Sequence, residues 1–227
     1  LAEGDRLVRV RTCTEDDDIL LSARGGKCIR FPVTGVRVFS GRTSTGVRGI
    51  KLAKGDAVIA MSGLRHVKVE VEDRDEYLQA VNASRRLAGG DYTGRAEDKA
   101  RDEGLAAKLN QDKFVEMAEN EEFLLTIAAD GLGKRTSAYE HRIAGRGGRG
   151  IVNIDVARGK NKTTHVVAAF TVQDMDQIVM VSDSGQIIRC PIDKVSTVGR
   201  SSRGVTIFKT AEGEQVVSVS RLRDVNG

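Results

Sequence analysis

Ile19-Leu20-Leu21-Ser22-Ala23-Arg24-Gly25-Gly26-Lys27-Cys28-Ile29-Arg30-Phe31-Pro32 is an apolar run, a turn ending in glycine, and a second run with arginine four residues past that glycine. The same text returns as Phe123-Leu124-Leu125-Thr126-Ile127-Ala128-Ala129-Asp130-Gly131-Leu132-Gly133-Lys134-Arg135-Thr136. It returns again as Ile178-Val179-Met180-Val181-Ser182-Asp183-Ser184-Gly185-Gln186-Ile187-Ile188-Arg189-Cys190-Pro191. Short β-rich apolar runs about a glycine turn predict hairpins, with Gly26, Gly131 and Gly185 supplying the positive φ. Both prolines of the chain, Pro32 and Pro191, fall six residues after their anchor glycine, which supports the alignment.

A second motif follows each hairpin. It reads Gly41-Arg42-Thr43-Ser44-Thr45-Gly46-Val47, Gly145-Arg146-Gly147-Gly148-Arg149-Gly150-Ile151 and Gly199-Arg200-Ser201-Ser202-Arg203-Gly204-Val205, placed 15, 14 and 14 residues after the anchor. β runs are expected next at 47–52, 151–156 and 205–209, then closing runs at 57–61, 165–170 and 215–219. Each unit thus predicts about four short strands in about fifty residues. That is the size of a propeller blade, whose sheet needs neighbours to cover its faces. The predicted class is all-β.

The spacing breaks once. Gly131 to Gly185 is 54 residues, but Gly26 to Gly131 is 105. Residues 65–122 are the excess. Tyr77, Leu78, Val81 and Leu87 have helical spacing after an acidic first turn, and 96–118 carries Ala100, Leu105, Leu109, Phe114 and Met117 in a similar pattern. The expected organisation is the end of a preceding blade at 1–18, with Leu7 to Val10 as a strand, and blade repeats at 19–64, 123–177 and 178–227. An acidic helical insert occupies 65–122.

The 227 residues include 36 Lys+Arg and 32 Asp+Glu, a net charge of +4 too small to name a partner. Its distribution is more telling. The insert holds 10 Lys/Arg against 15 Asp/Glu, and the remainder 26 against 17. The repeats are therefore basic and the insert masks them. Arg30, Arg135 and Arg189 share one repeat position, and Arg42, Arg146 and Arg200 another; Lys27, Arg48, Lys134, Arg149 and Arg203 cluster nearby. A guanidinium forks onto two phosphate oxygens, and an adjacent glycine lets backbone approach them. Cations recurring once per blade suit a long, regularly charged polymer, so duplex DNA is the expected partner. Only 3 Tyr, 6 Phe and no Trp are present, a poor supply of platforms for stacking single strands. The expected mode is backbone contact with little sequence specificity. The competing reading is a propeller-type interaction module whose basic rim takes an acidic protein.

Other signals are weak. Cys13, Cys28 and Cys190 are far apart with no CxxC pair, which suits a reduced, cytosolic protein. His66, His141 and His165 lack ligand spacing, so no metal is expected. Gly145 to Gly150 matches GxGxxG, but a β run follows it where a dinucleotide site needs a helix. Asp16-Asp17-Asp18 reads as a solvated turn. Tyr77, Tyr92 and Tyr139 have no partner base and are expected to be structural. No apolar run approaches the ~20 residues of a membrane span. The start at Leu1, without Met or signal peptide, suggests a fragment.

The runs 41–52, 130–136 and 198–205 resemble the DNA gyrase A C-terminal domain, with the corresponding domain of topoisomerase IV a weaker match. The resemblance covers residues 1–64 and 123–222. It implies a β-pinwheel of four-stranded blades that wraps duplex DNA on a basic rim to promote negative supercoiling. It also implies a bacterial, nucleoid-associated location. The holoenzyme implied is a heterotetramer of two gyrase A and two gyrase B chains, with ATP and Mg2+ used through other domains and no cofactor here. In that family the catalytic tyrosine lies in a separate N-terminal domain, and a Gln-Arg-Arg-Gly-Gly-Lys-Gly box lies in the first blade. The nearest text here, 144–150, lacks the Gln-Arg start, so the resemblance makes wrapping depend on sequence outside this chain.

Overall fold

The computed structural model describes residues 4–41, 43–87, 110–157 and 164–223. Blade one contains β1 (Asp17–Ala23), β2 (Lys27–Pro32) and β3 (Val58–Arg65). Helices α1 (Val71–Leu87) and α2 (Gln111–Glu119) follow. Blade two contains β4 (Phe123–Ala128), β5 (Leu132–Ser137) and β7 (Val166–Val172), and blade three β8 (Gln177–Ser182), β9 (Ile187–Pro191) and β11 (Val216–Leu222). Two short strands, β6 (Ile151–Val152) and β10 (Val205–Thr206), complete the set.

In blades one and two the fourth strand is not the blade's own. The sheet orders are β3-β1-β2-β6, β10-β5-β4-β7 and β11-β8-β9. Thus β6, from the second repeat, pairs with β2 of the first, and β10, from the third, with β5 of the second. The expectation of four strands within each unit is corrected: the second and third repeats each give their short strand to the preceding sheet. Among the described residues, β9 has no such partner.

This exchange explains the second glycine of the Gly-Arg-x-x-x-Gly motif. A Cβ on Gly150 would stand 2.4 Å from the Cys28 carbonyl oxygen, and one on Gly204 would stand 2.3 Å from that of Gly133. The glycines let one blade's loop close on the preceding hairpin, and their close approach is to protein backbone rather than to phosphate. Segment 47–52 pairs with no hairpin among the described residues and forms no strand. Residues 5–14 likewise form no strand, so Leu7 to Val10 departs from its expected form; among the described residues no strand pairs with it.

The anchors behave as turn residues, with φ of 86° at Gly26, 77° at Gly131 and 86° at Gly185. Strands β3, β7 and β11 end their sheets opposite the exchanged strands and lie against one another, forming the hub. The cores fill the spaces between blades. Leu20, Cys28, Leu64 and Leu124 close the first seam; Leu125, Ile127, Ile178, Met180 and Phe208 close the second. Strands covered on both faces read as continuous apolar runs, as Ile19 to Leu21 and Leu124 to Ala129 do.

The helices dock by aromatic contact. Tyr77 of α1 sits 5.2 Å from Phe114 of α2 and 5.4 Å from Tyr139, just after β5. The Tyr139 hydroxyl donates to the Met117 carbonyl at 3.0 Å, and that of Tyr77 to Glu121 at 2.9 Å. Burial pushes the Tyr139 phenol up to about 12, and such neutral, hydrogen-bonded phenols are structural. Asn110 caps α2 by accepting from the Asp112 N–H at 2.9 Å. Tyr92 and residues 96–109 of the expected second helical stretch lie outside the described residues.

Candidate nucleic-acid interface

The first seam gathers cations from three segments. The Gly147 N–H donates to the Gly49 carbonyl at 2.6 Å, and the Lys51 N–H to that of Gly148 at 2.8 Å. These bonds bring 48–51 beside 146–149. Arg146 donates from Nε to the Gly35 carbonyl at 2.7 Å and from Nη1 to that of Arg48 at 3.4 Å, and it stays exposed. Lys27, Lys51 and Arg149 line one shallow depression of about 160 Å³, with Asp56 as its acid. Lys27, Arg48, Arg146 and Arg149, all expected phosphate contacts, therefore converge at one place, exposed.

Lys51 joins them and was not among the expected contacts. Its counterpart five residues past the motif's second glycine is Asp155 in the next repeat, which hid the recurrence although Lys209 restores it in the third.

At the second seam the cations are held by the protein. Arg200 donates to the Val152 carbonyl, the equivalent of the Arg48 carbonyl that Arg146 reaches. Its own N–H donates to Glu140 at 2.6 Å. Arg203 is ion-paired with Asp130. Both keep partial exposure. Arg189 is exposed on β9 and bonded to Gln177. Arg42 lies outside the described residues.

Three expected contacts are corrected, because their donors are committed inside the fold. Arg30, 5% exposed, pairs with Asp18 at 2.7 Å and donates to the carbonyls of Ala138 and Arg65, both at 2.9 Å. Arg135 donates to the Val195 carbonyl at 2.7 Å and pairs with Asp174. Lys134, 0% exposed, points Nζ at the carbonyls of Gly199, Arg200 and Ser202. Burial pulls that ammonium down to about 7, while the ring of carbonyls favours its charged form. Its loop is thus built around a buried lysine.

The register explains the recurrent arginine. Leu20 opposes Arg30, Leu125 opposes Arg135 and Val179 opposes Arg189. Two residues before each partner stand Asp18, Phe123 and Gln177, the diagonal neighbours. Arg30 salt-bridges Asp18, Arg135 lies 5.8 Å from the Phe123 ring centroid, and Arg189 bonds Gln177. One position thus serves cross-strand contact in three chemistries. Arg30 and Arg135 additionally staple their blade to the next.

Asp18 is a further correction. It sits in β1, fully buried, with Arg30 on one oxygen and His66 Nδ1 2.7 Å from the other. Only Asp16 belongs to the turn. Of the cysteines, Cys28 is buried with its thiol pushed up to about 12 by burial, whereas Cys13 is exposed.

The family described as "DNA gyrase C-terminal domain, beta-propeller" matches at residues 17–62, 122–170 and 176–223. The chain is 45% identical over 231 residues to the DNA gyrase A protein of Granulibacter bethesdensis, covering 96% of this chain and 24% of that protein. It is 43% identical over 227 residues to the DNA gyrase A protein of Rickettsia felis, covering 100% and 24%. The chain thus spans about a quarter of the length of these curated relatives. In fold it resembles the crystal structure of the C-terminal domain of DNA topoisomerase IV, with a TM-score of 0.61 at 16% identity over 92% of this chain and 47% of that one.

Proposed function

We propose, because this chain belongs to the DNA gyrase C-terminal domain family, that it is a duplex-DNA-binding module of a bacterial DNA gyrase A protein. It holds the phosphate backbone on its rim. The observation that carries this reading is the first seam, where Lys27, Arg48, Lys51, Arg146 and Arg149 converge, with Asp56 lining the depression beside Lys27, Lys51 and Arg149. Each cation is exposed, Arg146 while bonded to two carbonyls, so phosphates can replace their counterions. Arg189, Arg200 and Arg203 extend the path across blades two and three. Among the described residues these cations sit on loops and strands and none on a helix, which favours reading of backbone and bendability over bases.

In the intact enzyme this module steers bound DNA around the disc and so promotes negative supercoiling. The A2B2 assembly supplies the catalytic tyrosine, and ATP and Mg2+ act in other domains. The working place is the bacterial cytoplasm at the nucleoid; among the described residues no helix is long and apolar enough to cross a membrane.

The test is fluorescence anisotropy of a labelled duplex titrated with this chain at low salt. Saturable binding that Arg146→Glu/Arg149→Glu weakens supports the reading. Absence of binding at low salt contradicts it.

A further inference from the structure

The exchanged strands carry the rim, but the hub is cationic too. A cavity of about 480 Å³ lies among β3, β7, β11 and the segment before β1, and its charged lining is Arg9, Arg11, Arg221 and Arg223, with no carboxylate. A second cavity, about 430 Å³ beside α2, is lined by Glu119, Glu121, Glu122 and Asp174 against Arg65 and Arg221. Of these two cavities, the hub alone carries like charge without acid.

Three of these guanidiniums are uncommitted. Arg221 pairs with Asp176 at 2.7 Å and donates to the Thr171 carbonyl at 2.9 Å. Arg9, Arg11 and Arg223 have no carboxylate partner among the described residues. Arg11 is seated against Gly63: a Cβ there would stand 2.8 Å from its Nε and 2.9 Å from its Cζ. The missing side chain leaves room for the guanidinium to lie on the strand. Ser62, Ser220 and Thr171 add hydroxyls to the lining, and Met61, Phe170 and Val219 give it apolar wall. Low-dielectric walls focus the field of such a cluster.

We propose that this hub cavity binds a compact, multivalent phosphate anion of the tripolyphosphate class. Arg9, Arg11 and Arg223 would fork onto its oxygens while Arg221 stays anchored. The volume is in the range of small-ligand pockets. The site is distinct from the DNA rim, because the sheet order β3-β1-β2-β6 sets hub and rim strands three spacings, roughly 14 Å, apart. The proposal does not depend on the DNA reading.

The experiment is calorimetric titration of the chain with sodium tripolyphosphate at low salt, beside Arg9→Ser/Arg11→Ser/Arg223→Ser and the rim variant Arg146→Glu/Arg149→Glu. All these side chains are exposed; circular dichroism verifies folding, and the single variants Arg9→Ser and Arg223→Ser replace the triple if it fails. Saturable binding is expected, weakened ~tenfold or more by the hub changes and within about twofold of unchanged in the rim variant. Absence of saturable binding overturns the proposal, as does a loss that follows the rim variant alone. Tighter binding of a polyglutamate peptide than of tripolyphosphate overturns the phosphate assignment.

Discussion

Arg30 and Asp18 form a buried ion pair at 2.7 Å, diagonal across the first hairpin, and the same guanidinium reaches the Ala138 carbonyl of the next blade at 2.9 Å. A side chain that resembles a phosphate ligand in sequence is therefore a fastener between blades. Removing either partner strands a buried charge, at a cost of about 3–5 kcal/mol. Arg30→Met and Asp18→Asn should each lower the urea midpoint. DNA affinity, measured where both remain folded, should be unchanged. A loss of affinity in folded Arg30→Met would place Arg30 on the DNA after all.

Equivalent glycines should differ in tolerance. A Cβ on Gly131 would meet the Phe208 carbonyl oxygen at 1.9 Å, whereas one on Gly185, at similar φ, has nothing within 4 Å. Gly185→Ala should cost only the left-handed strain, about 1–2 kcal/mol. Gly131→Ala should cost several-fold more, because the third repeat's segment must move off the hairpin. Thermal melts compare the two, and equal costs would refute the exchanged-strand packing.

His141 should make stability fall in acid. It is fully buried, with Nε2 2.9 Å from Asn153 Oδ1, and burial pulls its imidazole down to about 4. Above about 6.5 the ring is neutral in both folded and unfolded chains. Between about 6.5 and 4 the unfolded chain takes up the proton first, so stability decreases as the pH is lowered, by on the order of 3 kcal/mol in all. His141→Gln should flatten that part of the urea-midpoint profile against pH. An unchanged slope would assign it to other groups.

Asp130 should restrain DNA binding. Its carboxylate holds Arg203, whose counterpart Arg149 is exposed and has no such partner among the described residues. Asp130→Asn removes one negative charge and frees a cation on the rim. Duplex affinity should rise about two- to tenfold at low salt, with a steeper salt slope. A fall in affinity in a folded variant would contradict the second seam's place in the DNA path.

The repeat, its hairpins and the hub strands were legible because short apolar runs and a fixed Gly–Arg–Gly spacing survive in all three copies. Strand exchange was not legible: Ile151 and Val205 look the same whether they pair within their unit or with the preceding one. Only a contact such as Gly150 on the Cys28 carbonyl decides. For the site, residue type named the cations and register sorted them. Lys134 and Lys27 both sit in second hairpin strands, yet one is sealed among carbonyls and the other is exposed. Their difference is where each side chain falls relative to the next blade's loop, which no local pattern encodes. An acidic pattern also misled at Asp18, where a partner twelve residues on compensates the burial of its charge.

The central claim is that the first seam binds duplex DNA through its phosphates. The most direct measurement is the slope of log affinity against log salt for a labelled duplex, in the parent chain and in Arg146→Glu/Arg149→Glu. Each lost phosphate contact should remove about 0.9 from the slope, so the variant should be shallower by roughly 2 and weaker at every salt concentration. An unchanged slope in a folded variant would contradict the account.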